Sequence, residues 1–217
     1  MDALLEKLIH SPRLLQYRDQ IDDVLRDEQE RRRRFYDQIT EDDRWEFING
    51  EIIVHSPAKW NHNDATLRLA SLMRAYVTSR KLGKVGSEKC LITLTRNDYE
   101  PDVCFWDRDV AAGITEHQLQ FPAPQLAVEV ISPSTEANDR GVKFEDYAAH
   151  GVKEYWIIDP DGQSVEQHVL EGESFSLRMK STSGTIRSVA VEGSEISIRA
   201  IFDDEENLAA LRRLTAP

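Results

Sequence analysis

Gln125-Leu126-Ala127-Val128-Glu129-Val130-Ile131-Ser132-Pro133-Ser134 is the stretch on which the reading of this chain turns. A short, nearly continuous apolar run closed by Ser-Pro-Ser is the pattern of a strand covered on both faces of a sheet. One carboxylate interrupts it. An ionised Glu129 between Val128 and Val130 is costly to bury unless a cation or hydrogen-bond donors meet it. A helix is expected to follow over 135–150, stopped by Gly151, and then a second buried strand over 154–158. Asp159-Pro160-Asp161-Gly162 closes that strand with a turn.

Upstream, residues 89–95 and 101–106 read as a strand pair around an Asn-Asp turn region. Pro101 fixes the entry of the second strand and donates no ladder hydrogen bond, and Asp102 points to the side of Cys104 and Trp106. If the 101–106 strand lies beside the Glu129 strand, the two carboxylates converge. Two such groups repel, and one takes up a proton unless a hard divalent cation binds between them. Mg²⁺ or Mn²⁺ is the natural occupant. The alternative is that Glu129 pairs with a lysine or arginine from the next helix while Asp102 caps a turn.

Further toward the N-terminus, Asn49-Gly50 between two β-rich runs predicts a tight hairpin, with Glu51, Ile53 and His55 on one face of its second strand. A helix over 61–81, capped by Asn61, carries Leu69, Leu72, Met73, Tyr76 and Val77 on one stripe. His62 projects from that face at the first turn, where backbone N–H groups favour anions, so it can orient water or phosphate or be a satisfied, half-buried histidine. His55 and His62 are separated by a loop, which argues against a zinc pair with Asp102. Residues 1–40 read as charged helices, with the arginines at 31–34 on a solvated, salt-bridged face. Beyond 162, strands are expected over 164–170, 175–179, 185–191 and 195–199, then a helix over 205–213.

At 217 residues the chain has room for one well-packed domain, and 40% apolar with 30% charged residues excludes a largely disordered chain. A net charge of −12 disfavours broad, salt-driven adhesion to polyphosphates, an objection that a locally bound divalent ion partly escapes. Two cysteines, Cys90 and Cys104, exclude a disulfide framework or thiolate zinc site and read as buried reduced thiols. With no signal-peptide pattern and no apolar run near the roughly 20 residues that span a bilayer, the expectation is a cytoplasmic protein without membrane contact.

The order Pro101-Asp102, Glu129-Val130-Ile131-Ser132-Pro133-Ser134, Lys143 and Tyr147, Gly151-Val152-Lys153-Glu154-Tyr155-Trp156 and Asp159-Pro160 resembles the Uma-type restriction endonuclease family, a bacterial domain within the PD-(D/E)XK nuclease superfamily. The resemblance runs from about Trp45 to Asp161. It implies an α/β, restriction-endonuclease-like fold over 41–217 with a central mixed sheet flanked by helices, preceded by an N-terminal helical extension over 1–40. It also implies Mg²⁺- or Mn²⁺-dependent hydrolysis of phosphodiester bonds in nucleic acid, most naturally DNA, and a homodimer as one assembly.

By the same resemblance, Asp102, Glu129 and the main-chain carbonyl of Val130 are metal ligands, and an acid from the first structural unit, matched to Glu51, joins them. Ile131 stands where the superfamily motif has its lysine, so the catalytic cation comes from elsewhere. Lys143 is the candidate, one helical turn before Tyr147, and Lys89 is the second. Lys143 can instead be a surface lysine bridged to Asp139. An inactive nuclease-fold interaction module and a hydrolase of a small phosphorylated ligand share the same fold and remain rival readings.

Overall fold

The computed structural model describes residues 3–215. The helical spacing of the first forty residues is realised as α1 (Ala3–Ile9) and α2 (Leu14–Gln38). The last turns of α2 dock on the body of the protein, where the Phe35 and Phe47 rings meet with centroids 5.6 Å apart. Arg32 is also turned inward, which corrects the expectation of a wholly solvated arginine face. Its Nε and Nη2 donate to the two Asp98 oxygens at 2.7 and 2.9 Å, and it donates further to the carbonyls of Leu94, Thr95 and Asn97. Asp98 has no solvent exposure, so its charge requires this partner. Arg34 stays outside, 3.9 Å from Glu30.

Asn49 and Gly50, at φ 50° and 84°, join β1 (Trp45–Ile48) to β2 (Glu51–Val54) in the expected tight hairpin. The long helix α3 (Trp60–Arg80) buries Leu69, Leu72, Met73, Tyr76 and Val77 as their spacing predicts. Asn61 lies inside it and does not cap it; its amide reaches Asp161 at 2.7 Å. Next come β3 (Gly83–Ser87), β4 (Leu91–Thr93), β5 (Asp98–Tyr99) and β6 (Val103–Asp107). The expected pairing of 89–95 with 101–106 does not form. Instead β4 pairs with β5, and the chain changes sheets at Glu100-Pro101, where a residue without an N–H cannot extend the ladder.

After α4 (Arg108–Ala111) and β7 (Gln120–Phe121), β8 (Leu126–Val130) is buried at every position, as its apolar run requires. The helix expected over 135–150 is broken into α5 (Glu136–Asp139) and α6 (Val142–Ala149). The break falls at Gly141, where an added Cβ would lie 2.7 Å from the Ala137 carbonyl oxygen. The chain finishes with β9 (Glu154–Asp159), β10 (Ser164–Glu171), β11 (Ser174–Ser181), β12 (Thr185–Arg187), β13 (Glu195–Ser197), α7 (Arg199–Phe202) and α8 (Asp204–Thr215).

The strands form a six-stranded sheet in the order β11-β10-β9-β8-β6-β3, a five-stranded sheet β2-β1-β5-β4-β7, and the β12-β13 pair. In the larger sheet β8 runs parallel to β9 and antiparallel to β6. Alternation along β8 sends Leu126, Val128 and Val130 into a core shared with α3 and α7, and Ala127 into a second core built with Tyr147 of α6 and Tyr99 of the smaller sheet. Glu129 therefore faces the second core. No helix among the described residues is long and apolar enough to cross a membrane.

Arg140, beside the break between α5 and α6, clamps Glu166 of β10 with bonds of 2.8 and 3.0 Å, and Lys180 of β11 reaches the same carboxylate at 2.9 Å. The Arg140 hydrogen bond is the main reason the Glu166 carboxyl is held at about 2, against an ordinary 4.5. A depressed carboxylate stabilises the fold fully above its unfolded value and loses that contribution as pH falls through its folded value. Glu166→Gln should therefore be less stable than the parent at pH 7, and urea titrations should show the gap closing between pH 4.5 and 2. Arg32→Met should cost about 3–5 kcal/mol in the same assay, because it leaves Asp98 buried without its cation.

Candidate active site

Glu129 is met by the ammonium of Lys143, which projects from the first turn of α6 and is itself buried. Lys143 Nζ lies 2.8 Å from Glu46 Oε1, 3.1 Å from Asp139 Oδ1 and 3.2 Å from Glu129 Oε1. Four separate elements, β1, α5, β8 and α6, thus deliver one cation and three carboxylates to a single point. Burial works against the charge on Lys143, but Glu129, Glu46 and Asp139 outweigh it and hold the group well above the ordinary lysine range.

One cation cannot neutralise three acids. Burial pushes the Glu129 carboxyl well up, opposed by Lys143 and reinforced by Asp139, Asp102 and Glu46. Burial likewise raises Asp139, with Lys143 opposing. At Glu46 burial is overcome by Lys143 and by His55, whose Nε2 lies 3.3 Å from Glu46 Oε2, and the carboxyl falls to about 2. Glu46 Oε1 also accepts the Glu100 N–H at 2.8 Å. The Glu100 side chain is pushed up to about 7, by burial and then by Glu46, and its Oε2 has no hydrogen-bond partner among the described residues.

Asp102 sits at the entrance to β6, whose antiparallel register with β8 matches Val103 to Val128 and brings Asp102 alongside Glu129. Its Oδ2 accepts the Val130 N–H at 2.7 Å, and its Oδ1 lies 3.1 Å from His62 Nε2. Burial disfavours a charge on His62, but the hydrogen bond to Asp102 prevails and raises its pKa. Asp102, Glu129, Val130, Lys143 and His62 all line one cavity of about 260 Å³, together with Arg44, Glu100, Asp139 and the 132–135 loop.

With this geometry in hand, the sequence comparison is decisive: residues 32–199 match the Uma2 family, described as "Putative restriction endonuclease". The chain belongs to the Uma2 family. The matched segment contains Glu46, Asp102, Glu129, Asp139 and Lys143. Two uncharacterized proteins of Synechocystis sp. are similar to this Uma2 chain. One is 32% identical over 118 residues, which is 52% of this chain and 58% of the relative. The other is 31% identical over 131 residues, 59% and 73% of the respective chains. The fold is similar to the crystal structure of "a putative nuclease belonging to DUF820" from Anabaena variabilis, with a TM-score of 0.67 at 18% identity over 82% of this chain and 96% of that one.

Three residues singled out from the sequence lie elsewhere in this Uma2 protein. Glu51 is on the same hairpin as Glu46 but at the turn end of the edge strand, where its side chain is 74% exposed and 3.9 Å from Arg31. The first-unit acid that reaches the cluster is Glu46, opposite Ile53 in the hairpin register. Its signal in the sequence is the one that marks Glu129, a lone carboxylate between Trp45 and Phe47. Tyr147 follows Lys143 by one turn, but its ring is packed against Tyr99 and Tyr155 at 5.3 and 5.5 Å, inside the core. Lys89 is carried away from the cavity by a left-handed turn, with Glu88 and Lys89 both at φ 47°, and donates to the Glu41 carbonyl at 2.8 Å.

The donor chemistry suits a hard divalent ion: carboxylates and a main-chain carbonyl are all oxygen, and the acids outnumber the cations around the cavity. Among the described residues no three His, Cys, Asp or Glu side chains stand at the spacing of a metal cluster. His62 and the Val130 N–H occupy Asp102, and Lys143 occupies Glu129. The donors therefore fit such an ion by kind, with their present hydrogen bonds held by protein groups.

Lys143→Met should leave three buried carboxylates without their counter-ion and cost at least about 3 kcal/mol at pH 8. Their folded-state pKa values would then lie above the unfolded ones, so the variant should gain relative stability as pH falls toward 5. Urea unfolding at the two pH values measures both effects.

Proposed function

We propose that this chain is an endonuclease that hydrolyses phosphodiester bonds in DNA with Mg²⁺ or Mn²⁺. The observation that carries this reading is the contact between the buried Lys143 ammonium and Glu129, in a cavity that Asp102 also lines. A lysine placed there can stabilise charge developing on a phosphate oxygen or hold an attacking water for deprotonation. Glu46 and Asp139 keep that lysine charged and fixed, so no reorganisation is needed as the reaction proceeds. Asp102, Glu129 and the Val130 carbonyl would hold the divalent ion, which supplies a water of lowered pKa and neutralises phosphate charge. His62 orients Asp102, and the N-terminal turn of α3, which lines the cavity through Asn61 and His62, favours an anionic group. The net charge of −12 means that affinity for DNA has to come from these short-range groups, so its salt dependence should be shallow.

The test pairs binding with cleavage. Mn²⁺ should raise the Tm of the parent chain and support nicking of plasmid DNA, and both effects should vanish in Asp102→Asn and Glu129→Gln. A parent chain that neither gains stability nor nicks DNA would instead be an interaction module on a nuclease fold.

A further inference from the structure

The two cysteines lie together, outside the carboxylate cluster, at a place the fold has cleared for them. Cys104 is in β6 opposite Gly86 of β3. Cys90 arrives from the other direction, through the turn in which Glu88 and Lys89 both take left-handed backbone angles. A Cβ built on Gly86 would lie 2.7 Å from Cys90 Sγ and 2.9 Å from Cys104 Sγ, so both sulfurs converge over one bare α-carbon. Any side chain at Gly86 would push them apart. Cys104 is buried, whereas Cys90 is partly open to solvent. Such an arrangement sets a partly exposed cysteine beside a fully buried one, the order in which an attacking and a resolving thiol are placed.

We infer that Cys90 and Cys104 are a redox-active pair that a hydroperoxide converts into an intramolecular disulfide. The Cys90 thiolate attacks hydrogen peroxide, forming an S–O bond as the O–O bond breaks, and the leaving hydroxide takes up the proton that Cys90 had released to solvent and departs as water. Cys104 sulfur then attacks Cys90 sulfur, forming the S–S bond while the S–O bond breaks, and the leaving hydroxide takes the Cys104 proton as a second water. Two thiols lose two electrons and one peroxide gains them. A hydrogen bond from the Cys104 thiol also holds the Cys90 thiol below the ordinary thiol range, against burial, which favours the thiolate in the first step. The product would tie the strained 87–90 turn to β6, the strand that Asp102 leads into.

The experiment is thiol counting on the folded full-length chain treated with a few-fold excess of hydrogen peroxide, then quenched and denatured. The expected result is a fall from two reactive thiols to none in a monomer lighter by two hydrogens, reversed by dithiothreitol. Closing a loop of this length should also raise Tm by roughly 5 °C. Cys90→Ser should lose the Tm rise and the mass change while still unfolding cooperatively. Two thiols surviving the treatment, a disulfide between two chains, or over-oxidation of Cys90 without a bond to Cys104 would each overturn the inference.

Discussion

Everything at the functional end of this protein is organised by one ammonium group that is almost wholly buried. Lys143 is charged because Glu46, Glu129 and Asp139 surround it, and they are tolerated in the interior because it is there. The group is not self-sufficient. Its acids exceed its cations, and the surplus appears as carboxyls pushed upward at Glu129 and Asp139 and as the raised Glu100 at the cavity wall. Replacing all four charged side chains together by apolar ones of similar volume would serve stability as well or better, so a surplus of buried charge beside a cavity calls for a chemical explanation.

The larger sheet places Glu129, the smaller sheet supplies Glu46, and α5 and α6 bring Asp139 and Lys143 to them. Alternation along β8 puts Glu129 on the face toward α6, and antiparallel pairing with β6 sets Asp102 beside it. The switch between sheets at Glu100-Pro101 matters here, because it lets one continuous segment line the cavity after leaving β5 and before entering β6. The strand that leads into this segment, β5, is tied to the N-terminal helix through the Arg32 clamp on Asp98, so α2 braces the approach to the cavity wall.

Much of this is legible in the sequence. Asn49-Gly50 dictates a hairpin because both positions need positive φ, and the structure has them so. Glu129 is conspicuous because a lone acid in an apolar run demands a partner, and Pro101 marks where Asp102 begins its strand. The depth of Lys143 is not visible in its local pattern, and only the family resemblance raised it. Naming Glu46 in place of Glu51 requires knowing which end of the hairpin meets solvent, which depends on sheet order and not on alternation. Tyr147 shares a helix face with Lys143, yet one turn of rise carries it from the cluster into the aromatic core. The broken helix was equally hidden, since Gly141 can stop a helix or sit within one, and the Ala137 carbonyl decides between them.

The separation of Glu46 from Lys143 along the chain, roughly a hundred residues, has a kinetic meaning. Contacts so distant in sequence form only after the intervening loops have closed, so neither partner meets the other in a partly organised chain. Until β1, β8, α5 and α6 have all arrived, Lys143 remains a solvated lysine and the acids remain ordinary acids. The cavity's cluster is thus a property of the assembled fold and of no local segment within it.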